Sequence, residues 1–230
     1  MQTTNPYFPV KTGEYNMKIL IAIPCSDTIC PETFRSIYGL DRCGHWCLFD
    51  FIRGYDCASA RNRIAEESMA INADYVLMVD ADNVIPSDAL KLMLENPVDV
   101  CLSFYAHRTT DGSYKGNTNI CRLYKLDGSE YFSFPLESEY TAKEIENMAA
   151  DGATKIRVHG GGLGCALIKT DVFKKMGYPY FKWINYEDEK HSVLGEDLFF
   201  AVKCKEKGIP VHADVRVKSG HVFRYVQNVL

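Results

Sequence analysis

Short apolar runs recur along the chain and stop abruptly at polar or glycine-bearing breaks. Residues 18–24 (KILIAIP) form a β-branched run of the kind that strands take when both faces of a parallel sheet are covered. Residues 45–53 (HWCLFDFIR) alternate weakly and predict a second strand, and 75–79 (YVLMV) predict the clearest one, cut off by Asp80-Ala81-Asp82-Asn83. A further strand is expected over 98–104. Between them lie helical patterns. Residues 31–40 begin with Pro31 in the first turn, and 58–72 place Arg61, Ile64, Ala65, Ser68 and Met69 at helical spacing, giving one modest buried stripe. Another helix is expected from Pro86-Ser87, with Ser87 as N-cap before Leu90, Met93 and Leu94. Strand and helix in alternation predict an α/β protein with a doubly wound, mostly parallel sheet.

The second half changes character. Leu126-Asp127-Gly128-Ser129, between aromatic-rich stretches in 121–134, predicts a hairpin. Residues 141–151 predict a short helix ending near Gly152, and 155–159 and 165–169 predict strands flanking Gly160-Gly161-Gly162-Leu163-Gly164. A short helix over 171–176 is expected to be capped by Thr170 and closed by Gly177. Helix 196–207 has carboxylates at its start, lysines near its end and Gly208 beyond. Residues 210–218 supply the last strand, followed at once by Gly220-His221. With no repeats, low-complexity tracts or linkers, residues 1–16 are expected to form an N-terminal arm and 17–230 a single domain.

Composition narrows the function. Hydrophobic residues make up 47% and charged residues 24% of 230, an ordinary globular balance. A formal net charge of -4 lacks the basic footprint of non-specific nucleic-acid binding, so no nucleic-acid partner is expected. An anionic ligand would need local positive charge or a metal. The start of the chain is polar and proline-interrupted, with no signal-peptide core, and no apolar run reaches the ~20 residues of a membrane span. Nine irregularly spaced cysteines then suggest reduced thiols in a cytoplasmic protein. Cys43-Gly44-His45-Trp46-Cys47, with Cys25 and Cys30 upstream, offers soft ligands for zinc, but Cys-x3-Cys without a spaced second pair is a weak signal.

Asp80 and Asp82 carry the strongest chemistry. Ligands of open α/β sheets bind outside the carboxyl ends of the strands, where these carboxylates sit. Alternation in an extended segment points both to one side, and two close carboxylates repel unless a cation such as a hard divalent metal neutralises them. Ordinary solvated turn residues are the plain alternative. Arg61, at a helix start near the same strand ends, suits bidentate contact with phosphate oxygens or a salt bridge. The glycine cluster lies between two strands and not between strand and helix, which excludes a dinucleotide-binding fingerprint. Glu196 and Asp197 suit the positive end of a helix, and equally a general base. Tyr178, Tyr180, Phe181, Trp183 and Tyr186 crowd the stretch before them, as core packing or as a platform for a sugar ring.

The run YVLMVDADNVIPSDAL resembles the strand and Asp-x-Asp element of GT-A-fold glycosyltransferases, in particular the large inverting family that includes cellulose and chitin synthases. KILIAIP resembles that family's first nucleotide-binding strand, Ala60-Arg61-Asn62 its Ala-Arg-Asn helix opening, and Gly195-Glu196-Asp197 its acceptor-side acidic motif, all in the family's order. The resemblance implies a GT-A fold with a smaller antiparallel acceptor-side part, and transfer of a sugar from a UDP- or GDP-sugar to a carbohydrate or other hydroxyl acceptor. It implies Mn²⁺ or Mg²⁺ held by Asp82 and His221, with Asp80 on the ribose or on the metal through water. It makes Asp197 the general base and Glu196 a binder of hydroxyls. Pro24, Cys25, Arg61, Ala81, Gly161, Gly162 and Lys218 would line the nucleotide-sugar site. The family's acidic Asp-Asp-x-Ser run after the second strand is replaced here by HWCLFDFIRGYDC, leaving the base open. Nucleotidyl transfer to a sugar phosphate, or a non-catalytic carbohydrate-binding domain on the same scaffold, are the competing functions. The first of these expects a Gly-rich basic loop after the first strand, where CSDTICPETF stands.

Overall fold

A computed structural model describes residues 17–105, 120–126, 138–184 and 194–222. Its centre is a seven-stranded sheet in the order β2-β1-β3-β10-β5-β11-β8. β1 (Lys18–Cys25) pairs in parallel with β2 (Trp46–Arg53) on one side and β3 (Tyr75–Val79) on the other. β5 (Val100–Phe104) and β11 (Val211–Lys218) are also parallel to each other, whereas β10 (Cys165–Lys169) runs antiparallel between β3 and β5. β8 (Lys155–Val158) closes the far edge antiparallel to β11. The sheet is therefore mostly parallel, as the alternation predicts.

Alternate residues of each strand enter two apolar layers. Leu20, Ala22, Val76, Met78, Ala166 and Ile168 belong to one, and Ile19, Ile21, Ile23, Leu77, Val79 and Leu167 to the other. Period-two alternation puts these sets on opposite faces of the sheet, and each fully buried branched side chain contributes about 1.5–3 kcal/mol. Helices α2 (Cys57–Ala70), α5 (Thr170–Met176) and α6 (Glu196–Glu206) cover the first face through Ile64, Ala65, Phe173 and Phe200. Helices α1 (Pro31–Tyr38) and α3 (Ala89–Leu94) cover the second through Ile37, Leu90 and Met93.

Two small antiparallel sheets are added at the rim. β4 (Asn83–Val84) pairs with β12 (Gly220–His221), and β6 (Ile120–Tyr124) pairs with β7 (Glu139–Thr141) and β9 (Gly160–Gly161). Helix α4 (Ala142–Ala150) carries a capping box between Thr141 and Glu144. The turn expected at 126–129 runs outside the described residues, as do the arm 1–16 and Tyr186.

Two expected caps differ. Asp88, not Ser87, precedes α3, and it makes no side-chain cap. Thr170 is the first residue of α5 rather than its cap. A second capping box forms at Asp56, whose carboxylate accepts from Ser59 N while Ser59 Oγ accepts from Asp56 N, starting α2 one residue earlier than its apolar spacing implies. The described cysteines are free thiols, and no described helix is long and apolar enough to cross a membrane.

Candidate active site

The chain passes from β1 to β2 on one side of it and then, through α2, to β3 on the other. That reversal opens a crevice at the carboxyl ends of β1 and β3, and Asp80 follows β3 directly. A tight turn forms there, with Asn83 N donating to Asp80 O at 3.0 Å, and Asp80 N donating to Gly164 O at 2.9 Å. The chain then continues as β4, whose partner β12 places His221 opposite Asn83. Val222 N donates to Asp82 O at 2.8 Å, so the backbone itself holds the two segments in register. As a result His221 Nε2 lies 3.3 Å from Asp82 Oδ2. Tyr105, just past the end of β5, meets the His221 ring edge-on at 5.6 Å and accepts Gly164 N–H on its hydroxyl at 3.2 Å. Gly164 has no room for a side chain: a Cβ there would stand 2.7 Å from Asn83 Nδ2 and 2.8 Å from the Tyr105 ring.

Arg61 is 2% exposed. Its Nη2 donates to Asp80 Oδ1 at 2.6 Å and its Nη1 to Glu196 Oε1. One guanidinium in the first turns of α2 thereby ties the β3 end to the start of α6. Burial opposes the charge on Arg61, but Asp80, Cys57, Glu196 and Asp197 outweigh it and hold its pKa well above the usual value. The Glu196 carboxyl is pushed up, first by burial and then by Asp197 and Asp80, against the opposing pull of Arg61. The Cys57 thiol, exposed on its outer side, is pushed up by desolvation against this cluster and by Asp80 and Glu196, against the pull of Arg61.

The neighbouring Asn62 is also buried and clamps a distant segment. Its Oδ1 accepts from Tyr180 N at 3.0 Å and Phe181 N at 3.1 Å, and its Nδ2 donates to Phe181 O at 2.8 Å. Ala60-Arg61-Asn62 thus organises both sides of the crevice.

The other predicted residues fall as follows. Asp197 is half-buried in the first turn of α6 and its Oδ1 accepts from Leu198 N at 2.8 Å. Pro24 and Cys25 end β1, and Ala81 O accepts from Cys30 N at 2.9 Å, which folds the chain after β1 against the Asp80 turn. Gly161 pairs with Leu123 in β9, which packs on α6, and Gly162 is buried between β9 and Gly164. Lys218 directs its ammonium to Glu146 at 2.5 Å, on an exposed ion pair. Arg61, expected on phosphate or in a salt bridge, has both terminal nitrogens on carboxylates.

No group of three or more His, Cys, Asp or Glu that would hold a metal ion exists among the described residues. Asp80 turns to Arg61, and Cys25, Cys30, Cys43 and Cys47 do not gather. What remains is a pair, Asp82 and His221, both partly accessible. One hard oxygen and one imidazole fit a Mn²⁺- or Mg²⁺-type ion that takes its remaining ligands from water and phosphate oxygens.

The sequence does not single out Tyr105 or the close approach at Gly164, and it offers Asn83 and Asn62 only as members of the Asp80–Asn83 and Ala60–Asn62 motifs. Tyr105 was accessible by the same rule that marks Asp80, since it follows a strand at its carboxyl end. Asn62 stands in the Ala60-Arg61-Asn62 motif, but its clamping role has no local sign, because its partners lie well over a hundred residues away.

No family model matches the sequence, and no curated protein does. Among solved structures, the chain resembles A197 from STIV with a TM-score of 0.57 at 17% identity, over 90% of this chain and 87% of A197. It resembles GalNAc-T7, solved with UDP, GalNAc and Mn²⁺, with a TM-score of 0.56 at 11% identity, over 90% of this chain but 44% of that one. Identities this low speak for the fold alone, and on that point they agree with the topology: the chain has a GT-A-like fold.

Proposed function

We propose that residues 17–230 form a single-domain, metal-dependent glycosyltransferase of the cytoplasm that moves a sugar from a UDP- or GDP-sugar to an acceptor hydroxyl. The carrying observation is an imbalance of charge. Among the described residues, Asp80, Asp82, Glu196 and Asp197 share the crevice with one guanidinium, Arg61, and the imidazole of His221. Carboxylates in such excess call for a cation, and a nucleoside diphosphate at a strand end calls for the same one. A bound Mn²⁺ or Mg²⁺ would screen the diphosphate oxygens as they gain charge.

The chain's own residues divide the remaining work. Asp82 and His221 hold the ion, and Asp80, fixed by Arg61, orients a ribose hydroxyl or a water. Pro24, Cys25 and Ala81 line the nucleotide cleft, while Gly161 and Gly162 let the backbone approach the donor sugar. Lys218, beside this rim, is a reserve diphosphate contact once freed from Glu146. Asp197 takes the acceptor hydroxyl proton as that oxygen bonds to the anomeric carbon, and the bond from that carbon to the diphosphate breaks with its electron pair. Glu196, enclosed with Arg61, fixes the first turn of α6 so that Asp197 is aimed, and offers its other oxygen to a sugar hydroxyl.

A thermal-shift screen over UDP-, GDP-, CMP- and dTDP-sugars with Mn²⁺, read together with release of nucleoside diphosphate, tests this. One donor raises the melting temperature, Asp82→Ala abolishes the rise, and Asp197→Asn keeps the rise while kcat falls about 10²–10⁴-fold. Equal stabilisation of Asp82→Ala removes the metal assignment, and an undiminished Asp197→Asn removes the base.

A further inference from the structure

We infer that the acceptor is a carbohydrate whose ring lies against the Trp183 indole while one of its hydroxyls meets Asp197. This rests on the transferase reading above and names its acceptor class. The structure sorts the aromatic stretch that precedes Gly195-Glu196-Asp197. Tyr180 and Phe181 are buried against Phe173, and Phe181 stacks on Phe200 with centroids 5.1 Å apart. Trp183 is instead 44% exposed. It is not carried on a slack segment: two residues earlier the backbone is clamped by Asn62, and one residue later Ile184 exchanges hydrogen bonds with Leu194 at 3.1 and 2.9 Å.

That bridge sets Trp183 across from Gly195. A Cβ on Gly195 would stand 3.6 Å from Trp183 Cζ3 and 2.8 Å from Asp197 Oδ1. The indole and the carboxylate therefore flank one bare Cα, and any side chain at 195 would collide with the carboxylate. A pyranose presents a face of C–H groups and an edge of hydroxyls. The face gains dispersion contact with an exposed indole, and the edge gains a charge-assisted hydrogen bond from a carboxylate beside it. A serine or threonine hydroxyl on a peptide gives the carboxylate its proton but offers the indole no saturated ring.

The chain has two tryptophans, so Trp46→Phe leaves Trp183 as the only indole reporter. Trp46 lies on β2 under the Lys18 ammonium, a cation–π contact that Phe retains in weaker form. Titrating this folded variant with methyl glycosides of glucose, galactose, mannose and N-acetylglucosamine is expected to give a saturable change in emission and protection from acrylamide for at least one of them. In an otherwise unaltered chain, Trp183→Ala is then expected to raise KM for that acceptor about tenfold, and Trp183→Phe to recover most of it, with KM for the donor moving far less; tenfold corresponds to about 1.4 kcal/mol. The inference is overturned if no glycoside alters Trp183 emission, if glycerol at matched concentration alters it equally, or if Trp183→Ala keeps the wild-type acceptor KM. Sugar binding at Trp183 without any donor turnover leaves the carbohydrate site standing and removes only the transferase reading.

Discussion

Beside β11 and the end of α3, Asp214 is 0% exposed and every one of its oxygens is engaged. Its Oδ1 accepts from Arg216 N and Nε, and its Oδ2 accepts from Arg216 Nη2 at 2.7 Å with Lys155 Nζ at 3.2 Å. The remaining donors of those two cations go to Leu92 O, Glu95 O and the Glu95 carboxylate. Two cations meet two carboxylates, and the group ties β8, β11 and α3 together. At the end of β3 the proportions among the described residues are different, with four carboxylates against Arg61 and a histidine. Buried charge that is matched within the chain serves the fold. Charge left in excess beside a crevice is unfavourable for the fold and needs a ligand of opposite sign to settle it, which is why the second cluster, and not the first, is the place to look for chemistry.

Substituting one member of each cluster draws the sharpest contrast. Asp82→Ala is expected to lower metal-dependent turnover at least about 100-fold, in the range of a lost transition-state electrostatic contact, with an almost unchanged melting temperature in the absence of ligand. Asp214→Ala is expected to do the reverse. It strands Lys155 and Arg216 beside an apolar core and costs about 3–5 kcal/mol in denaturant unfolding, with no particular loss of Mn²⁺ affinity. If both variants lose stability equally, the division between the two clusters is lost.

Arg61 has a foot in both categories, since it is paired to carboxylates of the chain like Arg216 but serves the crevice. Arg61→Lys places a single ammonium where a planar fork spans two carboxylates, and about 1–3 kcal/mol of stability is expected to go. The Glu196 carboxyl, already raised by burial, then shares one ammonium with Asp80 in place of the fork, so the pull that opposes the rise weakens. The acid limb of the pH–rate profile is therefore expected to move to higher pH, and an unmoved limb would separate Glu196 from the chemistry. Gly164→Ala is the milder probe, pressing a methyl onto Asn83 and Tyr105 for about 1–2 kcal/mol, with a weaker metal site as the second readout.

The smallest effect lies outside both clusters. The Glu67 carboxyl on α2 is pushed up to about 7 by partial burial and by hydrogen bonding to and repulsion from Asp50 on β2. A carboxyl raised in the folded state gives its stabilisation in full below its unfolded value and loses it as pH climbs through the folded one. Melting temperature is thus expected to fall modestly from about pH 4.5 toward pH 7 on this account, and Glu67→Gln to flatten that slope.

Much of the scaffold was legible in the chain because its strands are buried on both faces and so read as unbroken apolar runs; residues 18–24 and 75–79 are found within β1 and as β3. Asp80 and Asp82 could be placed because a strand that ends in carboxylates at a sheet's carboxyl edge is a local pattern. His221 was placed next to Asp82 only by resemblance. The device that brings them together, β12 on β4, is two residues long on each side and has no periodicity to read. The meeting of Arg61 with Glu196 spans 135 positions and depends on how α2 and α6 pack, which no local spacing encodes. Capping went astray at Ser87 and Thr170 for a related reason: both have the right hydroxyl, but the chain enters each helix one residue away from it.

The account stands on the β3 end answering its surplus of negative charge with a divalent ion and a nucleoside diphosphate together. Mn²⁺ binding followed by electron paramagnetic resonance, with and without UDP or GDP, measures this directly. One ion per chain is expected, bound at least about tenfold more tightly when one of the two nucleotides is present, and lost in Asp82→Asn and His221→Ala but kept in Asp214→Asn. Mn²⁺ affinity that ignores both nucleotides, or that survives in Asp82→Asn, would contradict it.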